Sequence, residues 1–376
     1  MPAVRTVLVI GAGLAGTACA IRLAQAGVVV DLVDKQSDVT ALGSGITLQG
    51  NALRALRELG VWEQVDKHGY SYDSLGLRAP DPNGTLIAEL DEMRTGGTDL
   101  PATAGMYRPD LARILTDRAV EVGVRPRWSV APVALAQDDD GVDVEFNDGT
   151  AGRFDLVVGA DGVRSWTRQA IGIEVQMTST GMGIWRVFTR RPESVTRTDL
   201  YYGGPSYIAG YCPTGPDTLY AYIVEKAQDR FSTTPEEKLS VIRDLATAYH
   251  GPWDEIRDLI TDPATVNYTW FETHVVPAPW NRGRVVIIGD AAHVCPPTVA
   301  QGGAQALEDA LVLTELLCDR EAVDDDLWQT FMDRRFARAA EVVEASLQIG
   351  RWMRDGVRGD VPGLMHQVAT LVQQRP

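Results

Sequence analysis

Three carboxylates in this chain follow apolar segments. Asp34, Asp161 and Asp290 each stand within three residues of the end of an apolar, β-branched run. Such a run predicts a buried strand of a parallel sheet, and these sheets bind ligands outside the carboxyl ends of their strands. A carboxylate at that edge can accept hydrogen bonds from sugar hydroxyls. The pattern therefore predicts a site for a sugar-bearing ligand.

Paired glycines lie about ten residues beyond the last of these carboxylates. Gly302 and Gly303 follow an irregular loop with Pro296 and Pro297, and they open a long amphipathic helix. Glycines at a helix start expose backbone N–H groups on the positive end of the helix dipole. That platform suits an electron-rich or anionic ring. A flavin needs both the acceptor at Asp290 and the donors of this helix.

A glycine-rich turn joins the first two predicted strands. Thr6–Ile10 is followed by Gly11–Gly16 with the spacing G-x-G-x-x-G, and a second strand, Val28–Val33, ends at Asp34. The first glycine makes the tight turn, the second lets the backbone approach a pyrophosphate, and the third lets helix pack on strand. Asp34 is in place to accept from a ribose. The motif predicts a dinucleotide site without separating FAD from NAD, and a structural turn is the alternative.

Two further features fit the same site. Leu42–Ile46 is a second glycine-rich loop before a helix predicted over Asn51–Leu59, although a plain surface loop has the same composition. Arg108 precedes a helix predicted over Leu111–Val122, with Asp110 or the residue before it as N-cap. An arginine at that position can bind a phosphate, or it can be an ordinary exposed side chain.

Aromatic residues concentrate in the middle of the chain. Residues 174–275 predict an antiparallel sheet of short strands, with a helix from about Thr234 to His250. Strands favour aromatic residues for packing reasons, so core positions and a ligand site both fit this pattern. The aromatic residues concerned are Trp185, Tyr201, Tyr202, Tyr207, Tyr211, Tyr220 and Tyr222.

The order of these elements predicts a mixed α/β (α+β) fold. A Rossmann-like cofactor-binding domain includes a β-meander whose last strand is Phe154–Val158, an antiparallel-sheet substrate domain is inserted into it, and helices with a loosely packed tail end the chain. The boundaries we predict are 1–70, 101–173 and 276–320 for the cofactor domain, 71–100 and 174–275 for the substrate domain, and 321–376 for the C-terminal helices.

Composition argues against several classes of protein. The 376 residues carry a net charge of −16, which disfavours nucleic acid and anionic membranes as partners because both attract Lys and Arg. No apolar run reaches the roughly 18 residues of a membrane span. The four cysteines have no metal-ligand spacing, which predicts free thiols, no metal site and a cytoplasmic protein.

Three motifs stand in order along the chain. They are the fingerprint Gly11–Gly16 with Asp34, an Asp-Gly motif from Asp155 to Arg168, and a Gly-Asp motif from Arg282 to Ala310. Together they resemble the motifs of single-component flavoprotein monooxygenases of the para-hydroxybenzoate hydroxylase type. The matches extend from residue 7 to about residue 315.

The resemblance implies tightly, non-covalently bound FAD, with NADH or NADPH as co-substrate and no separate domain for it. It places the adenine ribose at Asp34, the ribityl-pyrophosphate region at Arg108 and Asp290, and the flavin ring at Gly302 and Gly303. The residues expected to bind FAD are Gly11, Gly13, Leu14, Ala15, Gly16, Asp34, Lys35, Gly45, Arg108, Asp161, Arg168, Gly289, Asp290, Gly302 and Gly303.

The implied reaction is hydroxylation of an aromatic or N-heteroaromatic small molecule by a monomer or homodimer. NAD(P)H reduces the flavin, O2 adds to the reduced ring, and the hydroperoxide transfers OH to the substrate. Candidates for a base that deprotonates a phenol are Tyr207, Tyr211 and His293, with a structural role as the alternative for His293. The predicted pocket residues are Arg186, Tyr207, Tyr211, Tyr222 and Pro296.

Other functions on this scaffold are an epoxidase, a halogenase, a dehydrogenase and a non-catalytic flavin-binding protein. The W-x-W-x-I-P segment of halogenases is absent from the sequence. Two positions depart from the family pattern. Ala300 stands where members often have Gly, and Ala304 stands where they often have Asn or Cys.

Overall fold

A computed structural model describes residues 2–39 and 45–376, so residues 42–44 of the second glycine-rich loop lie outside the described residues. The described ranges contain ten α-helices and twenty strands in four sheets, and the predicted mixed α/β fold is confirmed. The helices are α1 (Leu14–Gln25), α2 (Gly50–Glu58), α3 (Trp62–His68), α4 (Arg108–Glu121), α5 (Trp166–Ala170), α6 (Pro235–Ala246), α7 (Pro252–Leu259), α8 (Gly302–Asp319), α9 (Asp325–Asp355) and α10 (Val361–Gln373).

A six-stranded sheet carries the predicted ligand edge. In spatial order its strands are β18 (Asn281–Arg282), β19 (Val285–Ile287), β12 (Leu156–Gly159), β1 (Thr6–Ile10), β2 (Val29–Asp34) and β8 (Arg125–Trp128). All neighbours are parallel except β18 and β19. The carboxyl ends of β2, β12 and β19 therefore meet at one edge, where Asp34 ends β2, Asp161 follows β12 and Asp290 follows β19.

Two three-stranded sheets flank this layer. One is the meander of β9 (Pro132–Gln137), β10 (Val142–Phe146) and β11 (Ala151–Phe154), and the other consists of β3 (Ile46–Gln49), β7 (Thr103–Met106) and β4 (Tyr70–Tyr72). The prediction that Phe154–Val158 is one meander strand is wrong. The chain changes sheet at Asp155, whose carboxylate accepts from the backbone N–H groups of Arg5 and Thr6 and so starts β12 beside β1.

An eight-stranded sheet forms the second large layer. Only its β14–β5 pair is parallel. In spatial order its strands are β20 (His293–Val294), β17 (Val266–Val275), β13 (Thr178–Arg190), β16 (Thr218–Lys226), β15 (Ile208–Pro213), β14 (Thr198–Tyr202), β5 (Ser74–Arg78) and β6 (Leu86–Asp91).

The two faces of this sheet have different surroundings. One face packs against α6 and α7, and its core includes Trp185, Tyr201, Tyr211 and Trp253. Side chains alternate between faces along a strand, so Arg186, Tyr220 and Tyr222 lie on the opposite face. We call that opposite face the pocket face.

Tyr211 is therefore not a pocket residue. Its side chain is 1% exposed, and its hydroxyl donates to Asp199 Oδ2 at 2.7 Å. Asp199 also accepts from Arg78 and Arg197, and these charged groups lie away from the cofactor side. The prediction of Tyr211 as a pocket or catalytic residue is wrong, because alternation along the strand places its side chain on the face that packs against α6 and α7.

Two predictions about helix ends also need correction. α4 begins at Arg108 and its N-cap is Tyr107, rather than Asp110 or its neighbour, because Pro109 fits the first helical turn. The C-terminal tail is not loose, since Val368 and Val372 of α10 are buried against Val342 of α9. In the described part of the chain, none of the helices combines the length and the apolar character needed to cross a bilayer.

Replacement of two tyrosines tests the assignment of faces. We expect Tyr211→Phe to lower the free energy of unfolding by about 1.5–3 kcal/mol, because it removes a buried hydrogen bond to a carboxylate. Tyr222→Phe, whose hydroxyl has no protein partner among the described residues, should change it by less than about 0.5 kcal/mol. Urea unfolding measures both, and a larger loss for Tyr222→Phe than for Tyr211→Phe would contradict the assignment.

Candidate active site

The three fingerprint glycines have different surroundings. Gly11 has a φ of +102°, and a Cβ there would overlap the carbonyl of Ala160. A Cβ at Gly16 would overlap the carbonyl oxygen of Gly11. At Gly13, the N-cap of α1, an added Cβ meets no protein atom within 4 Å. Gly11 and Gly16 thus serve close packing, whereas Gly13 leaves the first turn of α1 open to a phosphate.

Asp34 is anchored in a way that leaves acceptor capacity. Oδ2 accepts from Ala12 N at 2.8 Å, and Oδ1 accepts from Gln36 N at 2.8 Å. A carboxylate offers about four lone-pair sites, so each oxygen can accept a further hydrogen bond. The side chain is half-buried and Lys35 beside it is exposed. This arrangement suits the two hydroxyls of a ribose.

Asp161 and Arg168 hold the second motif against the third. The Asp161 carboxylate accepts from Ser165 and Thr167 and so fixes the start of α5. Arg168 is buried and donates to Ala291 O at 2.8 Å and to Val163 O at 3.0 Å. These contacts give both residues a structural role at the sheet edge.

Asp290 projects into a deep cleft. Gly289 before it has a φ of +61°, and its N–H donates to Asp309 Oδ2 at 2.8 Å. The Asp290 side chain is accessible to water, yet burial among protein atoms raises its pKa, while His293 and Arg108 act in the opposite direction. A carboxylate that is open to water and also surrounded by many protein atoms lines a cleft rather than the outer surface.

Arg108 lies in the same cleft and links the two layers. It is also accessible to water, and burial lowers its pKa. The charge of Asp290 acts on it from one side, and Arg186 and Tyr220 of the pocket face act on it from the other. Arg108 therefore lines the cleft rather than the outer surface, and its contact with a phosphate stays a prediction.

The N-terminus of α8 closes one side of this cleft. An added Cβ at Gly303 would lie 3.2 Å from both Leu14 Cδ1 and Ile46 Cδ1, and one at Gly45 would lie 2.5 Å from Tyr220 Cβ. The segment that starts at Gly45 thus runs between the α8 N-terminus and the pocket face. The amides of Gly302 and Gly303 stand at the positive end of an 18-residue helix.

Ala300 occupies a glycine-like conformation just before α8. Its φ of +52° is in the left-handed region, where a side chain other than glycine costs about 1–2 kcal/mol. The departure from the family pattern at this position therefore keeps the backbone conformation that a glycine would adopt and adds strain to it.

A buried network of charged groups supports α8. Asp309 Oδ1 accepts from Arg335 Nε at 2.8 Å, and Oδ2 accepts from His293 Nε2 at 2.7 Å. Burial raises the pKa of Asp309, but the charges of His293 and Arg335 bring it down to about 2. Glu308 accepts from Arg335, Arg338 and Asn51 at 2.7–3.0 Å.

His293 belongs to this network and not to the pocket. Its side chain is buried, its Nε2 is held by Asp309, and its ring packs beside Trp280 with centroids 5.2 Å apart. A base must reach a substrate proton, and this ring has no exposed nitrogen. The structural alternative therefore fits His293, and its candidacy as a catalytic base is not supported.

The remaining pocket candidates lie on or beside the pocket face. Arg186 donates through Nη1 to Thr269 Oγ1, and Tyr220 and Tyr222 pack with ring centroids 5.2 Å apart. Tyr207 precedes β15 and packs with Tyr222. Pro296 is buried, and its carbonyl accepts from Ser346 of α9, so α9 fixes the loop before α8.

Sequence reasoning missed several residues of this region. No feature of the sequence indicates that Arg335 and Arg338 are buried, because arginines on an amphipathic helix predict a solvated face. The position of Tyr220 could be predicted, since it stands two residues before Tyr222 on a strand and must share its face. Thr269 could be found only through the pairing of β13 with β17.

Comparison with known proteins agrees with these features. A family model described as FAD binding domain matches residues 5–346. This chain belongs to the para-hydroxybenzoate hydroxylase-like family of FAD-dependent aromatic monooxygenases. The predictions of family, enzyme class and FAD as cofactor are therefore confirmed.

Individual members of the family resemble the whole chain. The chain is 32% identical to a 2-heptyl-3-hydroxy-4(1H)-quinolone synthase of Pseudomonas aeruginosa strain UCBPP-PA14, over 92% of this chain and 89% of that protein. It is 30% identical to the 3-amino-4-hydroxybenzoate 2-monooxygenase of Streptomyces cremeus, over 89% and 84%. The crystal structure of a mutant of 2-methyl-3-hydroxypyridine-5-carboxylic acid oxygenase superposes with a TM-score of 0.81 at 25% identity, covering 99% and 98%.

The residues at the sheet edge fit FAD. Gly13 and the α1 N-terminus would hold the pyrophosphate, because an added Cβ there meets open space, and Asp34 would hold the ribose through its spare acceptor sites. The α8 N-terminus would hold the ring through its backbone N–H groups at the positive end of the helix dipole. The contacts of individual residues with FAD stay predictions.

Substitution of two fingerprint glycines separates cofactor binding from folding. We expect Gly13→Val to cost the apoprotein no more than about 1 kcal/mol, because valine is a poorer N-cap than glycine, and to weaken FAD binding by about 1–3 kcal/mol, roughly 5- to 150-fold, because the new side chain enters the space for the pyrophosphate. Gly16→Ala should instead destabilise the apoprotein. Flavin fluorescence titration and thermal unfolding measure the two effects. Normal FAD affinity in Gly13→Val would contradict the placement.

Loss of a buried arginine tests the network under α8. We expect Arg335→Met to cost about 3–5 kcal/mol of unfolding free energy, because it leaves two buried carboxylates short of a partner. The neighbouring Arg334→Met breaks a more exposed pair with Glu315 and should cost only about 0–1 kcal/mol. Urea unfolding of the two FAD-loaded variants compares them, and equal costs would show that the network does not support the fold.

Proposed function

We propose that this enzyme hydroxylates a phenolic or N-heteroaromatic small molecule whose ring bears an ionisable oxygen. The observation that carries the proposal is the position of Arg108, which is within electrostatic reach of both Asp290 and the Arg186–Tyr220 pair. The cofactor edge and an aromatic face with a guanidinium therefore border one cleft. The quinolone and hydroxypyridine in the names of the relatives are N-heteroaromatic rings that carry an oxygen substituent, which supports this class.

We expect Arg186 to bind the ionisable oxygen attached to the substrate ring. One of its N–H groups is held by Thr269, which fixes the guanidinium on the pocket face. A side-chain hydrogen bond also joins the guanidinium to Tyr220, and because a guanidinium has five N–H donors, further donors remain to bind an oxyanion. A phenolate or its heteroaromatic equivalent pushes electron density into the ring, and a nearby guanidinium stabilises that anion.

The tyrosines of the pocket face act as hydrogen-bonding groups in this proposal. Burial raises the pKa of Tyr222 well above its ordinary value, and it raises the pKa of Tyr220 despite the opposing charges of Arg186 and Arg108. Both therefore stay protonated at neutral pH and cannot serve as the base. Of the predicted base candidates, Tyr207 is the one that lies beside the pocket. A substrate whose oxygen is already ionised when Arg186 binds it needs no base from the protein.

FAD bound at the sheet edge would take two electrons from NADH or NADPH and would activate O2, of which one oxygen atom enters the substrate and the other leaves as water. The chain's part is to orient the aromatic ring and to exclude water. The pocket face, the Pro296 loop and α9 surround the cleft for this purpose. The domain division, the monomeric or homodimeric state and the cytoplasmic location stay predictions beside this proposal.

A substrate panel tests the reaction. Purified enzyme with FAD is given NADH or NADPH and, in turn, 4-hydroxybenzoate, a 3-hydroxypyridine carboxylate, 4-hydroxyquinoline and unsubstituted quinoline. We expect a hydroxylated aromatic with an added oxygen by mass spectrometry, formed together with cofactor oxidation. Absence of any oxygenated product across the panel, or equal turnover of quinoline and 4-hydroxyquinoline, would contradict the proposal.

Replacement of Arg186 tests its role. Arg186→Gln should raise KM for the hydroxylated substrates roughly 10- to 150-fold, the effect of losing about 1.5–3 kcal/mol from a charged hydrogen bond. Arg190→Gln is the control, because Arg190 lies on the same strand but is exposed at its end. Steady-state kinetics with both variants decide the point, and an unchanged KM in Arg186→Gln would remove this residue from the pocket.

A further inference from the structure

The pocket face continues past Arg186 towards β14. Tyr222 on β16 pairs with Gly210 on β15, which pairs with Leu200 on β14. A Cβ added at Gly210 would lie 2.6 Å from the Tyr222 hydroxyl and 3.0 Å from Leu200 Cδ2. The missing side chain at Gly210 thus lets Tyr222 lie across β15 and meet Leu200. Together these residues make an unbroken apolar floor leading away from Arg186.

Tyr202 shows that this floor is the bottom of a groove. Its side chain is 38% exposed, yet burial alone raises the pKa of its hydroxyl to about 12. Its hydroxyl also acts electrostatically on Tyr222. The side chains around it are likewise only half-buried, which leaves an open groove over this floor; they are Leu200, Tyr207, Tyr222 and Met353.

The tyrosines of this groove differ from those of the opposite face. Tyr201, Tyr211 and Tyr249 each donate a hydrogen bond to a protein oxygen. Within residues 2–39 and 45–376, the hydroxyls of Tyr202, Tyr207 and Tyr222 have no such partner. The rings of Tyr207 and Tyr222, which pack against an apolar cluster, are therefore not fixed by the kind of hydrogen bond that holds the tyrosines of the opposite face.

The end of α9 forms the second wall. Met353 packs against the cluster that contains Leu200, Tyr207 and Tyr222. Methionine adapts its shape to irregular apolar partners. The groove therefore runs between the sheet and the end of α9 and begins beside Arg186. Its lining is mainly apolar, and Arg354 of α9, which is within electrostatic reach of Tyr207, is paired with Asp355.

We propose that this groove binds an apolar substituent, several carbons long, attached to the ring that the enzyme hydroxylates. The inference rests on the proposed function, because it takes the ring to be held at Arg186. An aliphatic chain fits better than a charged or sugar-like group, since Leu200, Met353 and three aromatic rings offer apolar surface. Each methylene buried along it should raise kcat/KM about fourfold until the groove is filled.

A homologous series tests this subsite. The probes are 4-hydroxyquinoline and its 2-methyl, 2-propyl, 2-pentyl and 2-heptyl derivatives, assayed for oxygenated product with the FAD-loaded enzyme. Wild-type enzyme should show kcat/KM rising with chain length. Flat or falling values along the series would overturn the subsite while leaving the proposed function intact. Absence of product from every member, together with a failed aromatic panel, would identify failure of the proposed function itself.

Three variants locate the effect. Leu200→Ser should flatten the dependence on chain length and leave the unsubstituted 4-hydroxyquinoline within about twofold of wild type, because a single lost apolar contact acts only on the chain. Tyr202→Ser, at a more exposed position, should also flatten the dependence of kcat/KM on chain length. It replaces Leu200→Ser in the test if that variant does not fold. Leu86→Ser, on the exposed edge strand β6, is the control and should keep the full dependence. A dependence retained in both groove variants would overturn the proposal.

Discussion

The buried carboxylates Glu308 and Asp309 are the constraint on which the rest of the site depends. Ionised carboxylates taken out of water must be paired completely, and here the partners come from several separate elements. Asp309 binds the backbone N–H of Gly289 and the ring of His293, and Glu308 binds Asn51 of α2. Arg335 of α9 joins both. The ion cluster therefore fixes the strand-end loop, α2, α8 and α9 as one unit.

A second constraint is the two-residue period of the eight-stranded sheet. Tyrosines have opposite roles on the two faces, because the odd or even position of each tyrosine along its strand decides the face on which its side chain lies. Tyr211 completes a hydrogen-bonded core under α6 and α7, whereas Tyr222, on the neighbouring strand with the other parity, lies in the cleft. Arg108 then connects that cleft to the cofactor edge. The chemistry of the site arises where these two layers meet.

Motifs with a strict backbone requirement could be predicted from the sequence. Gly11–Gly16, Asp34 and Gly289-Asp290 lie at the turn and the strand ends that the sequence predicts, because such positions tolerate few residue types. The face on which a side chain lies could not be assigned for the short strands, so Tyr211 was misassigned. Arg335 was missed because its partners are distant in sequence, and the end of the meander was missed because Asp155 is fixed by backbone groups of β1.

A crystal structure of the FAD complex tests the central claim, that the cofactor edge and the pocket face border one cleft. The account predicts the pyrophosphate beside Gly13, and the flavin ring at the α8 N-terminus with Arg186 and Tyr220 across the cleft from it. A flavin ring bound outside this cleft, or one separated from Arg186 by packed protein side chains, would contradict the account.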